Sequence, residues 1–262
     1  MAHKTIGLIA SNHRKAQEAY ATLLKAYRFT PLTYEDAACP NVNAIVALGG
    51  DGFMLHTLHA FRGCNLPIYG MNCGTVGFLM NEFRVEDLLP RLEAARPTVI
   101  HPLRMTAIDA GGKKHQHLAY NEVSLLRMGL QAARIRISLD GTMHLKRMIC
   151  DGVLIATPAG SSAYNASTGG PILPLSANLL ALTPISPFRP RRWRGALLPQ
   201  KITVQFEILT PKKRPVHAMA DFKEVRNVVS VEVHEARTEH VTLLFDPGHS
   251  LEERIIREQF TP

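Results

Sequence analysis

The sequence predicts an N-terminal Rossmann-like α/β domain followed by a C-terminal, β-sandwich-like all-β domain. Short apolar runs alternate with helical patterns from residue 5 to about 98, whereas strand-length segments follow one another from about 99 to 235. The last segment, VTLLFDPGHSLEERIIREQF, returns to a strand and then a helix. We therefore expect domains at 1–98 and 99–239, with residues 240–262 completing the first.

The N-terminal elements are defined by their periodicity. The segments typical of buried strands are TIGLIA, AIVALGG and LPIYGMN, and those typical of helices are RKAQEAYATLLKAY, FMLHTLHAF and VEDLLPRLEAA. Strands that alternate with helices favour a mainly parallel sheet.

The second region is predicted to consist mainly of strands. The segments of strand length include VIHPLRMTAI, LAYNEVSLLR, ARIRISLDGTMHLKRM, KITVQFEIL and VVSVEVHE. Asp140 and Gly141 separate two alternating runs, which predicts a hairpin. Near the end, Ser250 and Glu253 have the spacing of a capping box at a helix start.

Composition excludes several classes of protein. The chain has 262 residues, 46% of them hydrophobic, enough for a substantial core without disulfides. Its four cysteines form no C-x-x-C pair, which argues against a zinc knuckle and a disulfide scaffold and favours a reducing cytosol. No signal peptide or run of eighteen apolar residues is present, so we expect a soluble, cytoplasmic protein that does not bind membranes.

The formal charge of +8 suits phosphate-rich ligands as well as nucleic acid. Much of the excess lies in PFRPRRWRG and PKKRP, which we interpret as solvated loops or subunit contacts. Because Trp193 stands alone and no nucleic-acid-binding module is recognisable, we expect no nucleic-acid partner.

The stretch VALGGDGFML places Asp51 among Gly49, Gly50 and Gly52, directly after an apolar run. Such a turn allows backbone N–H groups to approach an anion, and the following helix offers its positive end to phosphate. The alternative is a plain connection in which Asp51 caps the helix. Neither a P-loop nor a G-x-G-x-x-G fingerprint is present.

The stretch DGVLIATPAGSSAYNASTGGPIL, residues 151–173, combines hydroxyl, amide and aromatic side chains. Such groups can hydrogen-bond ribose and phosphate while Tyr164 stacks on a base. A serine- and glycine-rich linker is the alternative.

Together, GGDG at 49–52, YGMNCGTVGFL at 69–79, NE at 121–122 and the long serine-tyrosine stretch resemble the bacterial NAD kinases, of the NAD kinase/diacylglycerol kinase-like superfamily. The resemblance implies transfer of the terminal phosphate of ATP, or of polyphosphate, to the adenosine-ribose 2′-hydroxyl of NAD, giving NADP. It also implies a homodimer or homotetramer. A magnesium ion would come with ATP, since no compact carboxylate cluster is evident in the sequence.

The resemblance also implies roles for individual residues. Asp51 would be the catalytic base, and Gly49, Gly50 and Gly52 would bind phosphate. Asn121 and Glu122 would bind a ribose and neighbouring polar groups, or be an ordinary polar pair at a strand start. Asp151 would bind the nicotinamide-side ribose, or form an Asp-Gly turn. The other residues expected to contact substrate are Gly52, His56, Phe78, Ala159, Ser162, Ala163, Tyr164, Asn165, Ala166, Ser167 and Asp221.

Some of these positions have competing interpretations or depart from the family pattern. His56 fits a helix-surface residue as well as a phosphate contact, and Phe78 fits the core as well as the adenine. Phe53 stands where many relatives carry threonine or another small polar residue, and Ser162 where threonine is frequent. Asp221 is followed by phenylalanine, where the family usually has glycine.

Overall fold

The computed structural model describes residues 5–74 and 77–248. The chain divides into two compact units, one formed by Met1–Ile100 with Glu239–Pro262 and the other by His101–Thr238. The first unit is α/β and the second is built mainly of strands, which confirms the predicted fold class.

The first unit is organised around a seven-stranded sheet. Its strands are β1 (Ile6–Ala10), β2 (Thr30–Pro31), β3 (Ala44–Gly49), β4 (Ile68–Asn72), β5 (Asn81–Glu82), β6 (Arg96–Ile100) and β19 (Val241–Phe245). The order is β2-β1-β3-β4-β19-β6, with β5 paired to β4. All neighbours run parallel except β19 and β6. β1, β3 and β4 are almost wholly buried, as expected for strands covered on both faces.

Helices cover this sheet through short apolar stripes. They are α1 (Arg14–Ala26), α2 (Asp51–Ala60) and α3 (Leu88–Ala94), with a 3₁₀ turn at Tyr34–Ala37. On α1 the buried residues Ala16, Ala19 and Leu23 recur every three to four positions and pack in the same cluster as Leu8 and Val46. These contacts hold α1 against β1 and β3.

A buried polar cluster ties β19 to its neighbours. The Asn81 side chain donates to the carbonyls of Gly70 and Leu244 and accepts from the main-chain N–H of Asp246. The Asp246 carboxylate accepts from the Tyr69 hydroxyl at 2.6 Å and pairs with Arg91 at 2.5 Å. These groups are almost fully buried, and the hydrogen bonds between them offset the loss of water.

The second unit contains two six-stranded sheets. Their orders are β11-β10-β15-β18-β7-β8 and β14-β13-β12-β9-β16-β17. The strands are β7 (Leu103–Asp109), β8 (Lys114–Ala119), β9 (Glu122–Arg127), β10 (Ala133–Leu139), β11 (Thr142–Cys150), β12 (Gly152–Ala156), β13 (Leu179–Ile185), β14 (Ala196–Pro199), β15 (Val204–Ile208), β16 (Val216–Ala220), β17 (Lys223–Val225) and β18 (Val228–Glu235). Apolar residues from both sheets form one shared core, and a short helix, α4 (Tyr164–Ser167), follows β12.

The predicted hairpin at Asp140 and Gly141 is confirmed. Leu139 pairs with Thr142, and both turn residues have positive φ, 47° and 79°, as a two-residue type I′ turn requires. β13 contains Pro184, which has no main-chain N–H to donate to a ladder. β14 pairs with β13 only as far as Leu182, so Pro184 lies beyond that pairing.

The expectation that the cysteines are unlinked is wrong for one pair. Cys39 and Cys64 form a disulfide with their Cα atoms 5.0 Å apart. The two residues are 25 positions apart in sequence, and the turn that follows Tyr34–Ala37 brings Cys39 to the segment after α2, a tertiary approach that sequence spacing does not reveal. Cys73 and Cys150 are free thiols.

The remaining expectations concern loops and ends. The arginines of PFRPRRWRG are largely exposed, whereas Trp193 packs partly against the core of the second unit. Ser250 and Glu253 lie outside the described residues. Within the described ranges, no helix combines the length and apolar character needed to cross a membrane.

Candidate active site

The glycine-acid loop joins β3 to α2 in the first unit. β3 ends at Gly49, Gly50 is the N-cap, and Asp51 is the first residue of α2. The alternative in which Asp51 caps the helix is therefore wrong, because its side chain begins one position too late to take that role. The loop follows the carboxyl end of a parallel strand, where α/β sheets bind their ligands.

The three glycines act by leaving space rather than by adopting unusual torsions. None of them is among the positive-φ residues, and Gly50 is extended with φ −119°. A Cβ on Gly50 or Gly52 would meet no atom within 4 Å, whereas one on Gly49 would lie 2.7 Å from the Phe53 ring. Gly49 thus accommodates Phe53, and the other two leave the loop backbone open to a close-approaching ligand.

Main-chain hydrogen bonds fix the Asp51 carboxylate. Oδ2 accepts from the N–H of Phe78 at 2.8 Å, and Oδ1 accepts from the N–H of Leu79 at 3.0 Å. Gly77 allows this approach, because a Cβ there would lie 3.2 Å from Oδ1 of Asp51. The GGDG and YGMNCGTVGFL stretches, separated in sequence, therefore meet at one carboxylate.

Phe78 and His56 lie near Asp51 in different ways. Phe78 supplies a main-chain hydrogen bond to the carboxylate, and its side chain is half-buried. His56 is exposed on α2, the position that the helix-surface interpretation predicts, and it lines a cavity of about 540 Å³.

In the second unit, the turn between β16 and β17 fixes the start of β9. Asp221, at φ 52°, accepts from the main-chain N–H groups of Tyr120, Asn121 and Glu122 at 2.8, 3.0 and 3.3 Å. A carboxylate that accepts several main-chain N–H bonds holds its partners firmly, because the bonds are charge-assisted. Asp221 thus positions Asn121 and Glu122.

The serine-tyrosine loop, which is the part of the 151–173 stretch that follows β12, also holds the start of β9. The Thr157 hydroxyl donates to the carbonyl of Tyr120 at 2.6 Å and accepts from the N–H of Gly160 at 3.0 Å. A Cβ on Gly160 would lie only 2.2 Å from the carbonyl oxygen of Asn121. The two backbones therefore meet at a distance that only glycine permits.

Glu122 has an unusual environment. Burial, and secondarily the charge of Asp221, raises the pKa of its carboxyl to about 8. Its Oε2 atom is buried and has no hydrogen-bond partner among the described residues. At neutral pH this side chain therefore carries a proton and can donate a hydrogen bond as well as accept one.

The serine-tyrosine loop is an ordered structure rather than a linker. Asn165 is fully buried: its amide donates to the carbonyls of Ser161 and Pro171, and its oxygen accepts from Thr183. The Asn165 side chain, which the family resemblance predicts to contact substrate, therefore lies inside the loop. Of the other predicted residues, Ala159 is buried, Ser162, Ala163, Tyr164 and Ala166 are half-buried, and Ser167 is exposed.

Asp151 lies where the chain passes from β11 to β12, and thus from one sheet to the other, rather than in a hairpin turn. Its Oδ1 atom accepts from Nε of Arg127 at 2.5 Å. Asp151 and Tyr164 line a cavity of about 670 Å³ with Arg127 and His217. Burial raises the pKa of Tyr164, and the charges of Glu122 and Asp151 contribute to this shift.

Asp51 is the candidate metal ligand of the loop between β3 and α2. Among the described residues, no group of three or more His, Cys, Asp or Glu side chains is placed to hold a metal ion. The carboxylate oxygens of Asp51 are suitable ligands for Mg²⁺, which usually combines one or two carboxylates with substrate phosphates and water.

Sequence reasoning missed several residues that support the site. Thr157, Ser161, Thr183 and Arg127 were not assigned roles, although each contacts a predicted site residue or the segment that carries one. For Thr157, Ser161 and Thr183 the residue type gives little signal, because a buried hydroxyl in a strand or loop is also common in an ordinary core. Only the fold brings them to their partners.

Comparison with known proteins places this arrangement in a family. Residues 2–94 match the model of the ATP-NAD kinase N-terminal domain, and residues 120–238 match that of the C-terminal domain. A protein named NAD kinase from Cereibacter sphaeroides is 53% identical over 260 residues, covering 99% of this chain and all of that protein. An NAD kinase from Brucella suis is 56% identical over 227 residues, covering 87% of this chain and 88% of its own.

Solved structures agree in fold. Yeast NADH kinase, described in complex with NADH, superposes with a TM-score of 0.84 at 19% identity, covering 97% of this chain and 86% of that one. An NAD kinase from Archaeoglobus fulgidus in complex with ATP gives a TM-score of 0.75 at 21% identity, covering 94% and 95%. Given the two matched domains and the identity over nearly the full chain, the protein belongs to the NAD kinase family.

Proposed function

We propose that this protein transfers the terminal phosphate of ATP to the 2′-hydroxyl of the adenosine ribose of NAD, with Asp51 as the general base. The observation that carries the assignment to Asp51 is its geometry: a carboxylate at the first turn of α2, held by two main-chain N–H groups and preceded by open glycine backbone. Inorganic polyphosphate is an alternative donor in this proposal.

Asp51 acts on the acceptor hydroxyl. A ribose hydroxyl is a weak nucleophile, and a positioned carboxylate orients it and takes its proton as the new P–O bond forms. Such general-base assistance is typically worth about 10² to 10⁴ in rate. Because both carboxylate oxygens are held by the backbone of Phe78 and Leu79, the base is presented in one orientation.

The glycine loop acts on the donor. Phosphoryl transfer depends on positioning and on neutralisation of charge, and the N–H groups of Gly50, Asp51 and Gly52 lie at the positive end of α2. A magnesium ion bound with the phosphates would neutralise the charge that develops on them. Asp51 is the side chain of this loop that could contribute a ligand to it.

The second unit, in this proposal, is the dinucleotide-binding domain. Asn121 and neutral Glu122 contact a ribose and adjacent polar groups, while Asp151 accepts hydrogen bonds from the nicotinamide-side ribose. Tyr164 stacks on a base, with Ser162 and Ala163 beside it, and Asp221 acts by positioning β9. The shared cavity of Asp151 and Tyr164 supports this division, as does the orphaned oxygen of Glu122.

The remaining features follow from the family resemblance. We propose a homodimer or homotetramer and a cytoplasmic location, where both substrates are available. Sedimentation analysis of the purified chain would test the first point, and fractionation of the source cell would test the second.

Incubating purified protein with Mg²⁺, NAD and either ATP or polyphosphate tests the activity itself, with NADP separated by chromatography as the readout. Formation of NADP is expected with ATP. If neither donor yields NADP, the proposal is wrong.

Replacing Asp51 by asparagine tests the role of the base. Asp51→Asn keeps the size of the side chain but cannot accept the proton, so kcat should fall by about 10² or more. NAD binding, measured by calorimetry, should be retained. Glu86→Gln, an exposed acid of the same unit, is the matched control and should leave kcat unchanged. Unchanged turnover in Asp51→Asn would show that another group is the base.

A further inference from the structure

A cavity of about 670 Å³ lies in the second unit, and Arg127 and Asp151 form an ion pair in its lining. The apolar side chains of the lining are those of Leu126, Met128, Leu130 and Ile185. A volume between about 300 and 1,000 Å³ is usual for small-molecule sites. The proposed function places the nicotinamide-side ribose at Asp151 and leaves Arg127 without a role.

The sheet fixes the main chains of this ion pair. Arg127 is the last residue of β9, and Asp151 directly precedes β12. The two strands are antiparallel neighbours in which Leu126 pairs with Gly152. The main-chain N–H of Arg127 donates to the carbonyl of Asp151 at 2.9 Å. The two side chains therefore start from adjacent positions at one end of this strand pair.

The Arg127 guanidinium holds two walls of the cavity at once. Its Nε atom donates to Oδ1 of Asp151 at 2.5 Å, and its Nη1 atom donates to the carbonyl of Gly129. Gly129 belongs to the loop that carries Met128 and Leu130. Because a guanidinium is planar and presents its donors in a fixed fork, it keeps the carboxylate and this loop in one relation to each other.

This arrangement leaves one oxygen of Asp151 to a ligand. Among the described residues, no group other than Arg127 donates a hydrogen bond to the carboxylate, and that bond uses Oδ1. Oδ2 therefore remains able to accept, and a hydrogen bond from a ligand hydroxyl to an ionised carboxylate is charge-assisted. Without Arg127 the Asp151 side chain would be free to rotate and to present its oxygens in several directions.

The exposure of the pair argues against a purely structural role. The side chains of Arg127 and Asp151 are 33% and 41% exposed, and ion pairs this open to water contribute little to the free energy of unfolding. Arg136 and Glu207 form a pair of similar exposure, 35% and 53%, between β10 and β15. Only the first of these two pairs borders the cavity.

We infer that Arg127 is a positioning residue for NAD, which orients Asp151 and the loop at Gly129 so that the cavity takes the nicotinamide-side ribose. The inference rests on the proposed kinase function and adds to it a residue that acts through another side chain. Arg127 should affect the binding of NAD rather than the transfer step, because the phosphate is accepted by the other ribose.

Steady-state kinetics of Arg127→Ala test the inference. The KM for NAD should rise by about tenfold, since a hydrogen bond to a charged group is typically worth this factor or more. The kcat and the KM for ATP should stay unchanged. Arg127→Lys keeps the charge but lacks the planar fork of donors, so it should show the same rise. Arg136→Ala breaks the matched pair outside the cavity and is the control, with an unchanged KM for NAD.

A double-variant cycle separates positioning from direct contact. Calorimetry should show weaker NAD binding in Arg127→Ala and in Asp151→Ala, with no further loss when the two changes are combined. A further loss in the double variant would mean that Arg127 binds NAD itself and would overturn the inference. An unchanged KM for NAD in Arg127→Ala, or a wild-type KM in Arg127→Lys, would also overturn it. Failure of the wild type to form NADP would instead refute the kinase function, so the two failures are distinguishable.

Discussion

Oδ1 of Asp221 accepts a hydrogen bond of 3.0 Å from the main-chain N–H of Asn121, so a hairpin turn about a hundred residues later in the chain sets where β9 begins. The same carboxylate also binds the N–H groups of Tyr120 and Glu122. Asp221, which the sequence predicts to be a substrate contact, thus positions Asn121 and Glu122, two of the proposed contacts.

Replacing Asp221 by asparagine should separate support from contact. Asparagine tolerates positive φ but presents an amide N–H₂ to one of the three N–H donors, which then lacks an acceptor. A buried donor without a partner costs about 1–3 kcal/mol, so the free energy of unfolding should fall by roughly that amount. The KM for NAD should rise because Asn121 and Glu122 lose their fixed position. Urea unfolding and steady-state kinetics measure the two effects.

Asp140→Asn is the matched control for this change. Asp140 also lies in a two-residue hairpin turn at positive φ, but its Oδ1 atom accepts one hydrogen bond, from the N–H of Thr203 at 2.9 Å. An asparagine oxygen can keep that bond, so stability should change little. If both variants lose the same free energy of unfolding, the three hydrogen bonds to Asp221 do not stabilise the fold more than the single bond to Asp140.

The ionisation of Glu122 should appear in the pH dependence of stability. Burial raises its pKa to about 8 in the folded protein, well above the ordinary value of 4.5, so between these values the folded state binds a proton that the unfolded state has lost. Unfolding then takes place with loss of a proton, and stability contributed by this group falls as the pH rises from about 5 to 8. Above that range both states are ionised and the effect levels off.

Glu122→Gln removes this titration and retains the shape and hydrogen-bonding capacity of the neutral acid. The difference in melting temperature between the wild type and Glu122→Gln should therefore shift in favour of the variant from pH 5 to pH 8. Glu86→Gln, at an exposed position, should show no such trend. A pH-independent difference for Glu122→Gln would mean that Glu122 is already ionised in the folded protein at pH 5.

Gly160 should be intolerant of any side chain. In Gly160→Ala the added Cβ would lie 2.2 Å from the carbonyl oxygen and 2.3 Å from Cα of Asn121, and both obstacles are backbone. The loop and the start of β9 must move apart, at a cost of about 1–3 kcal/mol in unfolding free energy. Chemical denaturation measures it. Gly129→Ala, where a Cβ meets no atom within 4 Å, is the stability control, and an equal loss there would contradict the steric argument.

The sequence predicted features that depend on local patterns. The buried strands β1, β3 and β4 and the Asp140-Gly141 hairpin follow from periodicity and turn chemistry, which act over a few residues. The strand order of the sheets and the roles of Asp221 and Thr157 did not follow, because they depend on contacts between distant segments. Asn165 shows the limit most clearly: an amide in a polar loop suits a ligand, yet the fold uses it to satisfy buried carbonyls.

The disulfide runs against the expectation drawn from the cysteine spacing, and it can be checked chemically. If Cys39 and Cys64 are linked in the purified protein, iodoacetamide should label two thiols per chain under denaturing conditions and four after reduction. A link that closes a loop of 25 residues restricts the unfolded chain, so reduction should lower the free energy of unfolding by about 2–4 kcal/mol. The Cys39→Ser, Cys64→Ser double variant should match the reduced protein and be insensitive to reductant. Cys73→Ser leaves the pair intact and should retain the full response to reductant, whereas four reactive thiols in unreduced wild type would show that the bond does not form.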